Sequence, residues 1–285
     1  MAIRIEKAAG VGFCFGVKRA VTLLEEAAAK YGSVETLTAP VHNQPVLKRL
    51  EEEGVRVVAS LDEVKGKRIA IGAHGVSPEV ESLIKARRLE IIDTTCPFVH
   101  RAQLAAKALS NAGFFTIIFG ESEHPEIKSV LGWAKGQGIA VLDIKALKKL
   151  KELPRRLGVL SQTTQIPDAF SAFVKKLIGL ALVKDSELRI IDTICHDIRD
   201  RQASALKIAR QVDLMLVIGG HTSANSHYLA ELCGKVVRTY LVETVEEIDP
   251  RWLKGEPRVG ITSGASTDER TIDEVIRRLS ELNGA

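Results

Sequence analysis

The chain has 285 residues, 45% of them hydrophobic and 27% charged, with a formal net charge of +4. This is the composition of a globular protein long enough to bury a large core. It holds no run of eighteen apolar residues to span a membrane, no apolar signal core near its start and too mild a positive charge to argue for nucleic acid, although the charge suits an anionic small molecule.

A cytoplasmic protein is expected, and its thiols would stay reduced. The four cysteines form no CxxC pair, so metal or catalytic use is favoured over disulfides, and a zinc ribbon or a local ferredoxin loop is excluded by spacing.

In chain order, Val11-Gly-Phe-Cys14 sits between a short extended run and a helix beginning near Val17, with Lys18–Lys30 helical. A strand is predicted over Arg68–Gly72, a helix over Arg101–Ala112, a strand over Phe115–Gly120, and a solvated helix over the basic run Lys145 to Arg156, ending at Pro154. There follow a strand at Leu157–Ser161, helices at Ala169–Leu182 and Arg201–Gln211, strands at Leu214–Gly219 and Arg258–Thr262, and a last helix at Glu269–Leu282. Cys233 lies in the helical run His227–Gly234 and reads as a packed thiol. Strands alternating with helices predict an α/β protein of βαβ units with mostly parallel sheets.

A repeat is hidden in the spacing. Leu89-Glu-Ile-Ile-Asp-Thr-Thr-Cys96 and Leu188-Arg-Ile-Ile-Asp-Thr-Ile-Cys195 match at six of eight positions. The segment at Cys14 reads as a degenerate third copy. His42, His124 and Ser223 each follow their cysteine by 28 residues, in loops rich in small or polar residues. Each copy offers a further strand-end loop: Ala73-His-Gly75, Ser161-Gln-Thr-Thr164 and Thr262-Ser-Gly-Ala-Ser266. Three modules are therefore expected, at residues 1–87, 88–187 and 188–285. Ligands of parallel sheets bind beyond the carboxyl ends of the strands. A pseudo-threefold trefoil would bring the three cysteines and six loops to one central cluster cavity.

Three converging thiolates suit a cubane iron–sulfur cluster with one iron left open for substrate, a site that combines a Lewis acid with an electron source for removal of a bound hydroxyl. Zinc with an open position, or three structural thiols, are the alternatives. Glu126, in a loop with His124, is the candidate general acid, since a carboxyl group in a dry cavity has its pKa raised. His42, His74, His124, Ser223, Asn225 and Ser266 are donors fit for phosphate. The absence of a Walker-type loop argues for a small diphosphate rather than a nucleoside triphosphate.

The residues that carry a resemblance are Gly12-Phe-Cys-Phe-Gly-Val-Lys-Arg-Ala-Val21, Val41-His-Asn43, His74-Gly75, Asp93-Thr-Thr-Cys-Pro97, His124-Pro-Glu126, Gln162-Thr-Thr164, Thr193-Ile-Cys195, Ser223-Ala-Asn-Ser226 and Gly264-Ala-Ser266. Over nearly its whole length the chain resembles the 4-hydroxy-3-methylbut-2-enyl diphosphate reductases, the last enzymes of the methylerythritol phosphate route to isoprenoids. The resemblance implies a 4Fe-4S cluster on Cys14, Cys96 and Cys195 with an open fourth iron. It implies diphosphate binding by His42, His74, Ser223, Asn225 and Ser266, help from His124, and proton delivery by Glu126 through a relay including Thr163. The reaction it implies gives isopentenyl and dimethylallyl diphosphates, with electrons from a ferredoxin or flavodoxin. Ala224 stands where many relatives have Ser, and His196–Gln202 keeps only the final Arg-Gln of the usual segment. The nearest rivals are a quinolinate synthase, also built of three modules and three cysteines, and a pure electron carrier.

Overall fold

Each β-branched run of the sequence becomes a strand, and each cysteine segment leads into a helix. The structure, a computed structural model, describes residues 3–41, 43–150, 152–181, 186–255 and 258–283, with the backbone alone at 148, 149 and 283. The chain opens with β1 (Arg4–Lys7) and α1 (Phe15–Tyr31). Then come β2 (Val34–Thr36), α2 (Gln44–Glu52), β3 (Val55–Val57), β4 (Arg68–Ile71), α3 (Pro78–Ala86) and β5 (Glu90–Asp93). The middle of the chain forms α4 (Pro97–Asn111), β6 (Phe115–Phe119), α5 (Pro125–Trp133), β7 (Gly138–Val141), β8 (Arg156–Ser161), α6 (Pro167–Ala181) and β9 (Glu187–Ile190). The last part forms α7 (His196–Ala209), β10 (Leu214–Ile218), α8 (Ala224–Gly234), β11 (Thr239–Val242), β12 (Arg258–Ser263) and α9 (Glu269–Asn283).

Among the described residues these strands form three four-stranded sheets, ordered β3-β2-β4-β5, β7-β6-β8-β9 and β1-β12-β10-β11, with every pairing parallel. The α/β class and its parallel sheets are as the sequence predicts. Central strands such as Leu214-Met-Leu-Val-Ile218 are buried throughout, as strands covered on both faces must be. The strands without a clear sequence signal are short; β9 at Glu187–Ile190, for example, is largely exposed and pairs on one side only.

The three orders are one order. With the last order read from β11 to β1, the final strand of each sheet is the one that runs into a cysteine: β5 into Cys96, β9 into Cys195 and β1 into Cys14. The N-terminal strand completes the C-terminal sheet. The modules expected at 1–87, 88–187 and 188–285 therefore each differ from a sheet by one strand.

The basic run departs from expectation. Asp143 Oδ1 accepts the Lys145 amide (2.9 Å) and caps only a short 3-10 helix over Ile144–Lys149, and the chain enters β8 at Arg156. Pro154 and the β-favouring Leu157–Ser161 run, buried throughout, stop any longer helix there. Leu182, the expected end of α6, lies outside the described residues.

The chain divides into two compact units. One comprises residues 1–18, 41–52 and 196–285; its core surrounds the β1-β12-β10-β11 sheet, with Leu216, Val259 and Ile272 fully buried. The other comprises residues 19–40 and 53–195 and contains the other two sheets, with Ile117, Leu157 and Leu177 at the centre of one core and Ile69 and Ile84 in another.

Candidate active site

The cysteine segments repeat atom by atom. The amide of Cys96 donates to Ala73 O (2.9 Å), that of Cys195 to Thr163 O (2.9 Å) and that of Cys14 to Ala265 O (3.0 Å). Each bond ties a cysteine to the loop beyond the neighbouring strand. Asp93 Oδ1 accepts the Thr95 amide and Asp192 Oδ1 the Ile194 amide, forming the same turn in two copies. All three cysteines lie outside any disulfide and are placed where a helix begins. The Val17 amide donates to Cys14 Sγ (3.4 Å). Burial raises the Cys96 thiol pKa; the amides of Phe98 and Val99 oppose this, and the nearby Glu126 charge adds to it.

His124 and Glu126, expected in a loop, instead open α5. His124 is its N-cap, with Nδ1 accepting the Glu126 amide (3.2 Å), and Pro125 occupies the first turn. The signal was in the sequence, since Pro followed by an acid suits a helix start. Ser223 likewise caps α8, its Oγ accepting the Ser226 amide (3.3 Å). In the first copy the capping position falls to Asn43, whose Oδ1 accepts the Val46 amide (3.1 Å). His42 lies outside the described residues.

In the unit that holds residues 53–195, Glu126 is 2% exposed. Its Oε1 accepts the Thr163 amide and its Oε2 the Thr163 hydroxyl, both at 2.7 Å. Burial pushes its pKa up to about 7, against the pull of these two bonds. The Thr163 carbonyl in turn accepts the Cys195 amide, so acid, threonine and cysteine form one hydrogen-bonded line. The His74 and His124 rings meet edge to face with centroids 5.2 Å apart.

The His74 loop is held by residues that carry no motif in the sequence. Gly75 has φ +67°, and a Cβ there would meet Gln103 Nε2 at 2.4 Å. That amide donates to Ser129 Oγ (2.7 Å) and Val76 O (3.4 Å). A buried Gln on the Ala-rich face of a helix was the available clue.

In the other unit, Ser223 and Asn225 are buried and Ser266 is half-buried just past Ala265. Asn225 Nδ2 has no hydrogen-bond partner among the described residues, and a buried amide donor of this kind needs an acceptor. Cys233 is fully buried, and burial pushes its thiol up to about 11. It is a core thiol. Among the described residues no three His, Cys, Asp or Glu side chains are gathered as for a single metal ion, and the three helix-start cysteines are divided between the two units. Three thiols at helix starts are nevertheless the soft donors that iron–sulfur clusters take.

A profile of the LytB protein family matches residues 5–280. The chain belongs to the LytB family. Among its LytB relatives is a 4-hydroxy-3-methylbut-2-enyl diphosphate reductase of Dehalococcoides mccartyi strain CBDB1, 57% identical over 281 residues that cover 99% of each chain. The reductase of Geobacter metallireducens is 41% identical over 276 residues, 96% of each. A solved (E)-4-hydroxy-3-methyl-but-2-enyl diphosphate reductase, described as the terminal enzyme of the non-mevalonate pathway, superposes with a TM-score of 0.73 at 36% identity, covering 98% of this chain and 99% of its own. The Plasmodium falciparum reductase gives 0.89 at 27% identity, covering 97% and 88%. Among the described residues of this LytB chain, no helix is long and apolar enough to cross a membrane.

Proposed function

We propose that this chain reductively removes the allylic hydroxyl of 4-hydroxy-3-methylbut-2-enyl diphosphate, giving isopentenyl and dimethylallyl diphosphates as the final step of the methylerythritol phosphate pathway. The observation that carries the reading is Glu126. A carboxyl group that is buried, poised near neutrality and bonded through Thr163 to a cysteine segment is built to hold a proton beside a redox centre. An electron carrier has no use for it, and a synthase that condenses carboxylates needs no reductant.

In this reading Cys14, Cys96 and Cys195 hold one 4Fe-4S cluster whose fourth iron has no protein ligand. When bound, the cluster supplies two electrons, one at a time, and a Lewis-acidic iron for the departing oxygen. The chain's own residues do the rest. His42, His74, Ser223, Asn225 and Ser266 donate to the diphosphate and fix the allylic end, with Asn225 Nδ2 already lacking any other acceptor among the described residues. His124 assists, and it also holds the first turn that carries Glu126. Glu126 gives up its proton through the Thr163 hydroxyl. Two electrons and two protons enter, the C–O bond breaks, and water leaves.

The electrons are proposed to come from a ferredoxin or flavodoxin, in a reducing cytoplasm that keeps the thiols reduced. The modules 1–87, 88–187 and 188–285 are proposed as the repeating units of loops, each sheet borrowing one strand from the next. The test is anaerobic incubation with the allylic alcohol diphosphate and a chemical reductant. Formation of both five-carbon diphosphates supports the reading; an unchanged substrate with a cluster that merely cycles between oxidation states overturns it.

A further inference from the structure

The three cysteine segments share a second tie, and in one copy its usual donor is missing. In each neighbouring loop, the carbonyl two residues before the one that accepts the cysteine amide also accepts a bond. Thr94, two residues before Cys96, donates its hydroxyl to Ile71 O (2.6 Å). Thr193, two residues before Cys195, donates its hydroxyl to Ser161 O and accepts the Ser161 amide (2.9 Å). The third copy has Gly12 at this position, with φ +106°, a backbone that threonine rarely adopts. Gly12 has no hydroxyl to give to Ser263 O.

Arg201 fills the gap. It comes from α7, six residues after Cys195, where the helices after the other two cysteines carry the buried alanines Ala20 and Ala102. Its Nη1 donates to Ser263 O (3.0 Å) and Ser263 Oγ (3.3 Å), and its Nη2 donates to Gly12 O (2.9 Å). Ser263 Oγ accepts the Gly12 amide (2.9 Å), which restores the amide-to-hydroxyl bond with the partners exchanged. The Arg201 side chain is buried, the residue only 2% exposed. A charged group is taken out of water only where its bonds repay the loss, and the planar fork of arginine can reach two loops at once where lysine reaches one.

We infer that Arg201 is a positioning residue that clamps the Cys14 loop to the Ser263–Ser266 loop, replacing the threonine hydroxyl used in the other two copies. One residue thereby fixes both a proposed cluster ligand and a proposed diphosphate donor. The inference rests on the reading of Cys14 and Ser266 given above, but the clamp itself is a property of the polypeptide.

The test compares Arg201→Met, Arg201→Lys and Ser263→Ala with the parent protein by amide hydrogen exchange. Loss of one charge-assisted hydrogen bond should speed exchange of the Cys14 amide by about tenfold. Exchange at Cys96 and Cys195 should stay unchanged, and Arg201→Lys should lie between Arg201→Met and the parent. Thr94→Val should do the converse, loosening Cys96 alone. In protein loaded with iron anaerobically, Arg201→Met should also lose iron to a chelator faster than the parent and raise the KM for the allylic diphosphate more than it lowers kcat. Parental exchange at Cys14 in a folded Arg201→Met protein overturns the clamp, as does uniform loosening at all three cysteines. If Arg201→Met does not fold, Arg201→Lys and Ser263→Ala decide by the same two criteria. Local loosening in a protein that never holds iron leaves the clamp standing and removes the iron–sulfur reading instead.

Discussion

Thr163 grips Glu126 twice, amide to Oε1 and hydroxyl to Oε2, each at 2.7 Å, while its carbonyl takes the amide of Cys195. A carboxyl group so held has one geometry and little freedom. Glu126→Gln keeps the shape and can still accept the Thr163 amide, but it has no proton to give. Cluster content and substrate affinity should survive, and turnover should fall by the ~10²–10⁴-fold typical of a lost general acid. Single-turnover kinetics with pre-reduced enzyme checks this. A variant within a few-fold of the parent would place the proton source elsewhere.

The raised Glu126 pKa fixes two pH dependences. Its proton is present below about pH 7, so kcat/KM should fall as pH rises through that value. For stability, the folded chain binds this proton more tightly than the unfolded one, whose carboxyl titrates at its ordinary 4.5. The contribution is therefore complete below pH 4.5 and lost as pH rises to about 7, a cost of about 3 kcal/mol at most. The stability difference between parent and Glu126→Gln, followed by denaturant unfolding from about pH 5 to about pH 8, should shift in favour of Gln. A flat difference would mean the carboxyl group is not buried as described.

The sequence exposed what is repeated and hid what is repaired. The two Ile-Ile-Asp-Thr-X-Cys runs and the 28-residue spacing were legible because identical turns need identical residues, and the Asp93 and Asp192 side chains close those turns. Periodicity sets the helix starts late, near Val17 and at Arg101 and Arg201 rather than directly after the cysteines, because it reports the packed middle of a helix and not its first turn. The borrowing of β1 by the last sheet was invisible, since a four-residue edge strand carries almost no pattern of its own. Arg201 was invisible for another reason. Its partners are 62 and 189 residues away, and a side chain that stands in for a missing hydroxyl leaves no motif.

Thr163→Val should separate the two bonds on Glu126. Valine keeps the amide donor and removes the hydroxyl, which favours the charged carboxylate. The Glu126 pKa should rise further, moving the alkaline limb of the rate profile to higher pH, while the maximal rate drops because the relay is cut. Thr163→Ser should restore both. A lowered rate with an unmoved limb would leave Thr163 a packing residue only.

The cysteines offer the sharpest contrast. Cys14, Cys96 and Cys195 share one environment, a helix start tied by its amide to the loop beyond the neighbouring strand. Cys233 shares none of it, and its thiol, pushed up to about 11, stays protonated in a dry core. A thiolate ligand must lose its proton, and burial raises the thiol of Cys96 as it raises that of Cys233, so position at a helix start is what separates the two sets. Serine at any of the first three should abolish the iron–sulfur absorption and the activity of anaerobically purified protein. Cys233→Ser should keep its full iron and sulfide content. It should lose only stability, by about 1–3 kcal/mol, for burying a hydroxyl in place of a thiol. Iron loss in Cys233→Ser equal to that in the other three would undo the assignment, because no burial argument distinguishes a ligand from a core thiol once both release iron alike.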